Sequence, residues 1–195
     1  MKNIHLVSLD SNAHLVQPEE FNDILLTSSV RTIFTDFKKH QPLVIEVDTL
    51  ASDALFLMQK SHVHLQLVVD HNNEFIGTIS QHELNEQQFL IQQKKGFDRY
   101  QLTVGDLMVN RENIKGLHYR LLDLISIGDL IESLKKEGMQ HCLVTDPENK
   151  QIRGVISARD ISRRLHIPVD IQSPQTFVNI FEAVNDTHHH QQYAF

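Results

Sequence analysis

Two stretches of the chain carry the same alternation of apolar and polar positions. From Val63 to Leu84 the residues VHLQLVVDHNNEFIGTISQHEL form an apolar segment ending in Asp70, a polar turn, a second apolar segment and a polar stretch. From Met139 to Ile161 the residues MQHCLVTDPENKQIRGVISARDI repeat that order. β-Branched residues dominate the short apolar segments, which predicts strands at Leu65–Val69, Phe75–Ile79, Cys142–Thr145 and Ile152–Ile156. His71-Asn72-Asn73 and Asp146-Pro147-Glu148-Asn149 have the composition of hairpin turns. Upstream, Ala54, Leu57 and Met58 in one copy, and Ile131 and Leu134 in the other, recur three or four apart, one face of an amphipathic helix. Ser52-Asp53 and Ser126–Asp129 offer side-chain oxygens to the N–H groups of those helices' first turns. Val44–Val47 and Leu121–Ile127 read as short apolar strands or turns before them, and further short helices start at Gln81 and Ala158.

The correspondence is regular. Asp70 and Asp146, Gly77 and Gly154, Ser80 and Ser157, and Glu83 and Asp160 pair at a nearly constant offset, and Asp53-Ala54-Leu55 matches Asp129-Leu130-Ile131. SSVRTIF at Ser28–Phe34 is similar to LTVGDLM at Leu102–Met108. A small drift in the offset is what duplication followed by loop insertion leaves. The expected fold is therefore α/β (α+β), two β-α-β-β-α repeats that pack on each other, because one unit alone is too small to bury much surface. The expected layout is an N-terminal extension at 1–27, a first repeat at 28–90, a polar linker at 91–101, a second repeat at 102–167 and a C-terminal tail at 168–195. Pro18-Glu19-Glu20 resembles a helix start within the extension.

Composition narrows the function classes. An apolar content of 41% suits a chain that buries a core, and a formal net charge of −7 disfavours a nucleic-acid backbone as the main partner. The lone cysteine, Cys142, forms no intramolecular disulfide and suits a reducing, cytoplasmic compartment; in a predicted core strand it reads as a small buried hydrophobe. No apolar run is long enough to span a membrane, and the first ten residues lack the pattern of a secretory signal. The 13 histidines raise the question of metal. His62 and His64 would share a face if extended, and His188-His189-His190 lie in a polar tail, but no residue is assigned as a metal ligand. Paired catalytic carboxylates, a Ser/His/Asp set, a P-loop and a dinucleotide glycine fingerprint are not found, so a non-enzyme is expected.

Gly154-Val155-Ile156-Ser157-Ala158-Arg159-Asp160 and Gly77-Thr78-Ile79-Ser80-Gln81-His82-Glu83, each behind an apolar strand ending in Asp, resemble the signature of the CBS-domain pair, a family named after cystathionine β-synthase. The resemblance covers about Ser28 to His166. It implies two repeats about a pseudo-two-fold axis, with clefts that take AMP, ADP, ATP or S-adenosylmethionine. It also implies flat homodimers joined through helices, here through Ile131, Leu134, Ile161 and Leu165, and regulation of a separate protein whose identity stays open. Carried onto this chain, Asp160 would bind the ribose hydroxyls, Ser157 the phosphate or ribose edge, and Arg159 phosphate. The chemistry agrees: a carboxylate accepts from a vicinal diol, a helix start offers N–H groups, and guanidinium grips phosphate with paired donors. Adenine would sit near Leu124, Ile125, His141 and Leu143.

The first repeat departs from the pattern. Glu83 stands where the family prefers Asp, and His82 where the second copy has Arg159. One competent cleft governed by Asp160 is expected, with a weaker one at Ser80 and Glu83. The stretch Lys115–Asp123 is longer than its counterpart, which leaves the strand position there open. The same residues also have a purely structural account, in which Ser157 and Asp160 cap the following helix and Glu83 is a cap or surface residue. The functional expectation is a regulatory, ligand-sensing module without its own chemistry; the alternative is an interaction or dimerisation module with empty clefts.

Overall fold

The structure, a computed structural model, describes residues 8–10, 12–15, 24–136, 138–167 and 175–192, with the backbone alone for 186–192. The possible helix start at Pro18-Glu19-Glu20 and the side chains of His188-His189-His190 lie outside the described residues. In chain order the elements are β1 (Phe34–Asp36), β2 (Val44–Glu46), α1 (Ala51–Ser61), β3 (Leu65–Val69), β4 (Phe75–Ser80), α2 (Glu86–Lys94), α3 (Val104–Leu107), β5 (Val109–Asn110), β6 (Gly116–His118), α4 (Ile127–Leu134), β7 (His141–Asp146), β8 (Gln151–Ser157), α5 (Ala158–Arg164) and α6 (Phe177–Gln192). The predicted hairpin turns form as expected: Asn73 and Lys150 take left-handed backbone conformations, and Asp70 accepts from the N–H groups of Asn72 and Glu74.

The strands form two four-stranded sheets, ordered β2-β3-β4-β5 and β1-β8-β7-β6. Within each, a parallel pair (β2 with β3, β6 with β7) adjoins an antiparallel hairpin (β3 with β4, β7 with β8). The fourth strand of each sheet comes from the other half of the chain. β1, near the start of the first repeat, pairs antiparallel with β8, and β5, near the start of the second, pairs antiparallel with β4. The hydrophobic cores follow the strands. Val30 and Ile33 are buried with Leu122, Ile127, Val144 and Ile156, whereas Leu102, Val104 and Leu107 are buried with Ala54, Met58, Val68 and Ile79. The exchange is reciprocal, as a two-fold relation between the repeats requires.

The exchange explains the glycine of each signature. A Cβ on Gly154 would lie 2.1 Å from the Thr35 carbonyl oxygen and 2.4 Å from the Phe34 ring; one on Gly77 would lie 2.6 Å from the Val109 carbonyl oxygen. Hydrogen takes the place of a methyl there because the incoming strand's backbone occupies its space. An ion pair fastens β1 further. Arg153 donates from Nε and Nη2 to both carboxylate oxygens of Asp36, at 2.8 and 2.7 Å, and both side chains are only 13% exposed. The Arg153 and Arg31 guanidiniums each lie over the Tyr119 ring, 4.5 and 4.6 Å from its centre, and Arg31 also pairs with Asp123.

Several local expectations change for physical reasons. Leu121–Ile127 is no strand: the second repeat's parallel strand is β6, and the extra residues form a 3-10 turn at Tyr119–Asp123. Ser126 caps α4 in a capping box with Asp129, as its spacing suggests. α1 instead begins behind Leu50 without a side-chain cap, because Leu50 bridges to Thr103 and the Ala51 N–H donates to the Leu102 carbonyl at 2.8 Å. The first four residues of the stretch read as linker are helical, since α2 extends to Lys94 behind an Asn85 cap. α6 buries Phe177 and Ile180 against the face of α4 and α5. Ile131 and Ile161, expected at a dimer interface, are 2% and 0% exposed inside the chain's own core, and Leu134 and Leu165 pack against that core.

Two outcomes follow for stability. Gly154→Ala should lower unfolding free energy by about 1–3 kcal/mol or more, as overpacking against an immovable backbone does, whereas Gly138→Ala, with nothing within 4 Å of the new carbon, should leave the urea midpoint unchanged. The Asp36 carboxyl is held down from 3.8 to about 2, chiefly by the Arg153 hydrogen bonds. A depressed folded-state value contributes stability above the unfolded value and loses it as pH falls. Asp36→Asn should therefore destabilise the protein at neutral pH, and the difference from wild type should close between about pH 4 and 2 in acid titrations of the urea midpoint.

Candidate functional site

Where the two sheets meet, a cavity of about 760 Å³ opens between the repeats. One wall belongs to the second repeat. The register pairs His141 of β7 with Ser157 of β8, so these two residues stand side by side, and α5 follows at once, placing Arg159 and Asp160 in its first turn. The facing wall belongs to the first repeat: Gln59 and His62 at the end of α1, His64 just before β3, and Leu65 and Leu67 on β3. Thr35 of β1 and the loop Gln41–Leu43 complete the lining. His62 ends α1 in a left-handed conformation (φ 55°), which turns the chain from helix to strand at the cavity edge.

The polar groups are arranged as follows. Arg159 Nη1 lies 2.6 Å from His64 Nε2, joining the repeats across the cavity. Asp160 Oδ1 accepts from Arg163 Nη2 at 3.0 Å. Ser157 receives no capping hydrogen bond from α5, so the helix-cap account of this residue does not hold. The first N–H of α5, that of Ala158, donates to the Gln140 carbonyl at 2.9 Å and is not available to a ligand. Burial pushes His141 down to about 4, and a charge on His64 would add to the effect. His64 is also held below its ordinary value, first by burial, then by Arg159 and His62, with Asp160 opposing. Both imidazoles are therefore neutral at neutral pH.

The first repeat's own signature lines a smaller cavity of about 160 Å³, with Ser80, His82, Glu83, Val109, Lys115 and Leu143 among its residues. Glu83 lines this cavity with one carboxylate oxygen already engaged. Its Oε2 accepts from the Ser80 N–H at 2.9 Å and the Ser80 hydroxyl at 2.5 Å, while Ser80 Oγ accepts from the His82 N–H. The same closure joins Ser126 to Asp129 and Thr103 to Asp106, whereas Asp160 makes no such bond to Ser157 and meets Arg163 instead. Leu65 and His141 border both cavities.

Of the residues singled out by sequence, Ser157, Arg159, Asp160 and His141 come together on the large cavity, and Ser80, Glu83 and Leu143 on the small one. Leu124 and Ile125 line neither. Leu124 is 76% exposed beyond the 3-10 turn, and Ile125 packs on the second core with its carbonyl accepting from the Val30 N–H. They were assigned to a strand edge that does not exist at Leu121–Ile127. The first-repeat wall, above all His64, was missed; its only signal was the paired histidines, which face this cavity. Among the described residues no three His, Cys, Asp or Glu side chains are grouped to hold a metal ion.

The family model for the CBS domain matches residues 33–88 and 123–167. Solved structures share the fold. An uncharacterized conserved protein from Pyrococcus horikoshii aligns over 75% of this chain and 98% of its own, at 14% identity and a TM-score of 0.56. CBSX2, a CBS-pair protein from Arabidopsis thaliana, in complex with AMP, aligns over 69% and 93%, at 23% identity and 0.51. The CBS domain pair of protein MJ0100, in complex with 5′-methylthioadenosine and S-adenosyl-L-methionine, aligns over 70% and 94%, at 18% identity and 0.50. No curated protein matches the sequence. Among the described residues no helix is long and apolar enough to cross a membrane.

Cys142, beside this site on β7, is buried, and burial pushes its thiol up to about 11. Its alkylation by iodoacetamide at about pH 8 should follow the rate of unfolding and be undetectable in the native state, because the thiolate is the reactive form.

Proposed function

The chain belongs to the CBS domain family, and from that premise we propose that it is a regulatory module whose large cavity binds an adenosyl ligand: AMP, ADP, ATP or S-adenosylmethionine. One observation carries the reading. Ser157, Arg159 and Asp160 converge on a cavity of about 760 Å³ walled by both repeats, within the range of roughly 300–1,000 Å³ usual for small-molecule sites. The related pairs solved with AMP, or with 5′-methylthioadenosine and S-adenosyl-L-methionine, support the ligand class. In this reading Asp160 turns from Arg163 to the ribose hydroxyls, and Ser157 meets the ribose or phosphate edge. Occupancy favours one arrangement of the repeats over another, since the ligand touches both walls, and that population shift is the signal to a separate partner protein. The module acts by binding rather than catalysis, in the cytoplasm. The cleft at Glu83 stays weak because its carboxylate is committed to Ser80.

The second reading, an interaction module, is favoured by the outer face of the first repeat. Phe56 and Leu57 on α1 and Leu90 and Ile91 on α2 are exposed, whereas the positions of α4 that match Phe56 and Leu57 are the polar Glu132 and Ser133. A homodimer would use that first-repeat face rather than Ile131 and Ile161. The two readings are compatible, and titration distinguishes a filled cleft from an empty one. In calorimetry at least one of the four ligands should bind with micromolar affinity, and Asp160→Ala should weaken it about 10–100-fold, the loss expected for hydrogen bonds to a charged group. Glu83→Ala should leave that affinity within a factor of about two. Absence of heat and of any thermal shift with all four would leave the interaction module as the function.

A further inference from the structure

The contact between Arg159 and His64 assigns a chemical class to the ligand. A guanidinium has only donors, so the ring nitrogen 2.6 Å from Arg159 Nη1 must supply a lone pair. His64 is thereby neutral, with its proton on Nδ1. Two groups able to carry positive charge are held in contact, one on each wall of the cavity. The other ionisable groups of the lining are His62 at the end of α1, His141 on β7 and Asp160 on α5; the residues that β1 and the loop after it contribute, Thr35, Phe37 and Gln41, carry no charge. Asp160 accepts from Arg163 and is the cavity's lone carboxylate. Asp160, whose charge reaches His64, is thus set against Arg159 and the three histidines of the lining.

Resting on the adenosyl-ligand reading above, we propose that Arg159 and His64 form a composite phosphate site, so that the cavity selects a nucleoside phosphate over an uncharged or cationic adenosyl ligand and takes it up together with a proton on His64. A phosphate oxygen placed between the two residues accepts from the guanidinium and removes its claim on Nε2. That nitrogen then gains a proton from solvent and donates to the phosphate, so the ring becomes imidazolium while the phosphate keeps its charge. The protonated ring gains a charge-assisted hydrogen bond, and the nearby dianion offsets the repulsion from Arg159 and His62. In the empty cavity burial, Arg159 and His62 oppose that proton and outweigh Asp160, which favours it. Binding of phosphate and of proton are therefore mutually favourable, and a ligand without phosphate has no such linkage. His141, pushed far lower by burial, stays neutral throughout.

The test is calorimetry on the full chain with AMP and adenosine at about pH 7.5, in two buffers of different ionisation enthalpy. The phosphate's own second ionisation, near 6 for phosphate esters, is then nearly complete. AMP should bind with uptake of a sizeable fraction of a proton and lose several-fold in affinity from pH 7 to pH 8, and adenosine should do neither. His64→Gln should abolish both the uptake and the pH dependence, and Arg159→Gln should cut the preference for AMP over adenosine at least about tenfold. AMP binding without proton uptake, or uptake that persists in His64→Gln, overturns the inference and leaves the adenosyl reading standing. Failure of AMP and adenosine alike to bind overturns the inference, and the four-ligand titration then decides the adenosyl reading separately. The wild-type measurement needs no variant to fold, and matched thermal midpoints identify variants that do.

Discussion

The backbone of β1 approaches β8 so closely at Gly154 that no side chain fits between them, and β5 does the same to β4 at Gly77. Much of the architecture depends on that contact. It places Val30 and Ile33 in the second core and Leu102 and Val104 in the first, so neither repeat has a complete core without the opening segment of the other. The Asp36–Arg153 pair, nearly dry, adds a polar fastening with a preferred geometry at the same strand. Apolar burial drives the association, but the glycine and the ion pair make the register unique.

The exchange also makes the cavity a joint product of both repeats. Thr35 on the exchanged strand, Ser157 and Asp160 on the second repeat, and His64 and Leu67 on the first all face one space. A site built this way responds to relative motion of the repeats, because its walls move with different cores. The two signature regions are related by duplication yet differ in what their carboxylates do. Glu83 folds back onto Ser80, while Asp160 leaves Ser157 alone and meets Arg163.

A second asymmetry lies on the outside. α6 lays Phe177 and Ile180 against the helices of the second repeat, and the first repeat leaves Phe56, Leu57, Leu90 and Ile91 exposed. The periodicity that would have revealed α6 is present in Phe177, Ile180, Phe181 and Val184, spaced three and four apart. Its polar, histidine-rich continuation led instead to a tail. Ile131 and Ile161 belong to the same core as Phe177 and Ile180, and Leu84, the first repeat's counterpart of Ile161, is buried too.

The sequence by itself determined the repeat, the hairpins, the Ser126–Asp129 cap and the grouping of Ser157, Arg159 and Asp160, since each depends on residues within a few positions of one another. The Gly-to-Asp spacing was legible as a signature, but the need for glycine was not, because the atoms that exclude a side chain at Gly154 belong to Phe34 and Thr35, far away in the chain. Only the tertiary structure decided which strand completes which sheet, that Leu124 and Ile125 lie away from the cavity, and that His64 faces Arg159 across it. Those are long-range pairings, settled by backbone complementarity and burial between segments whose local patterns carry no record of their partner.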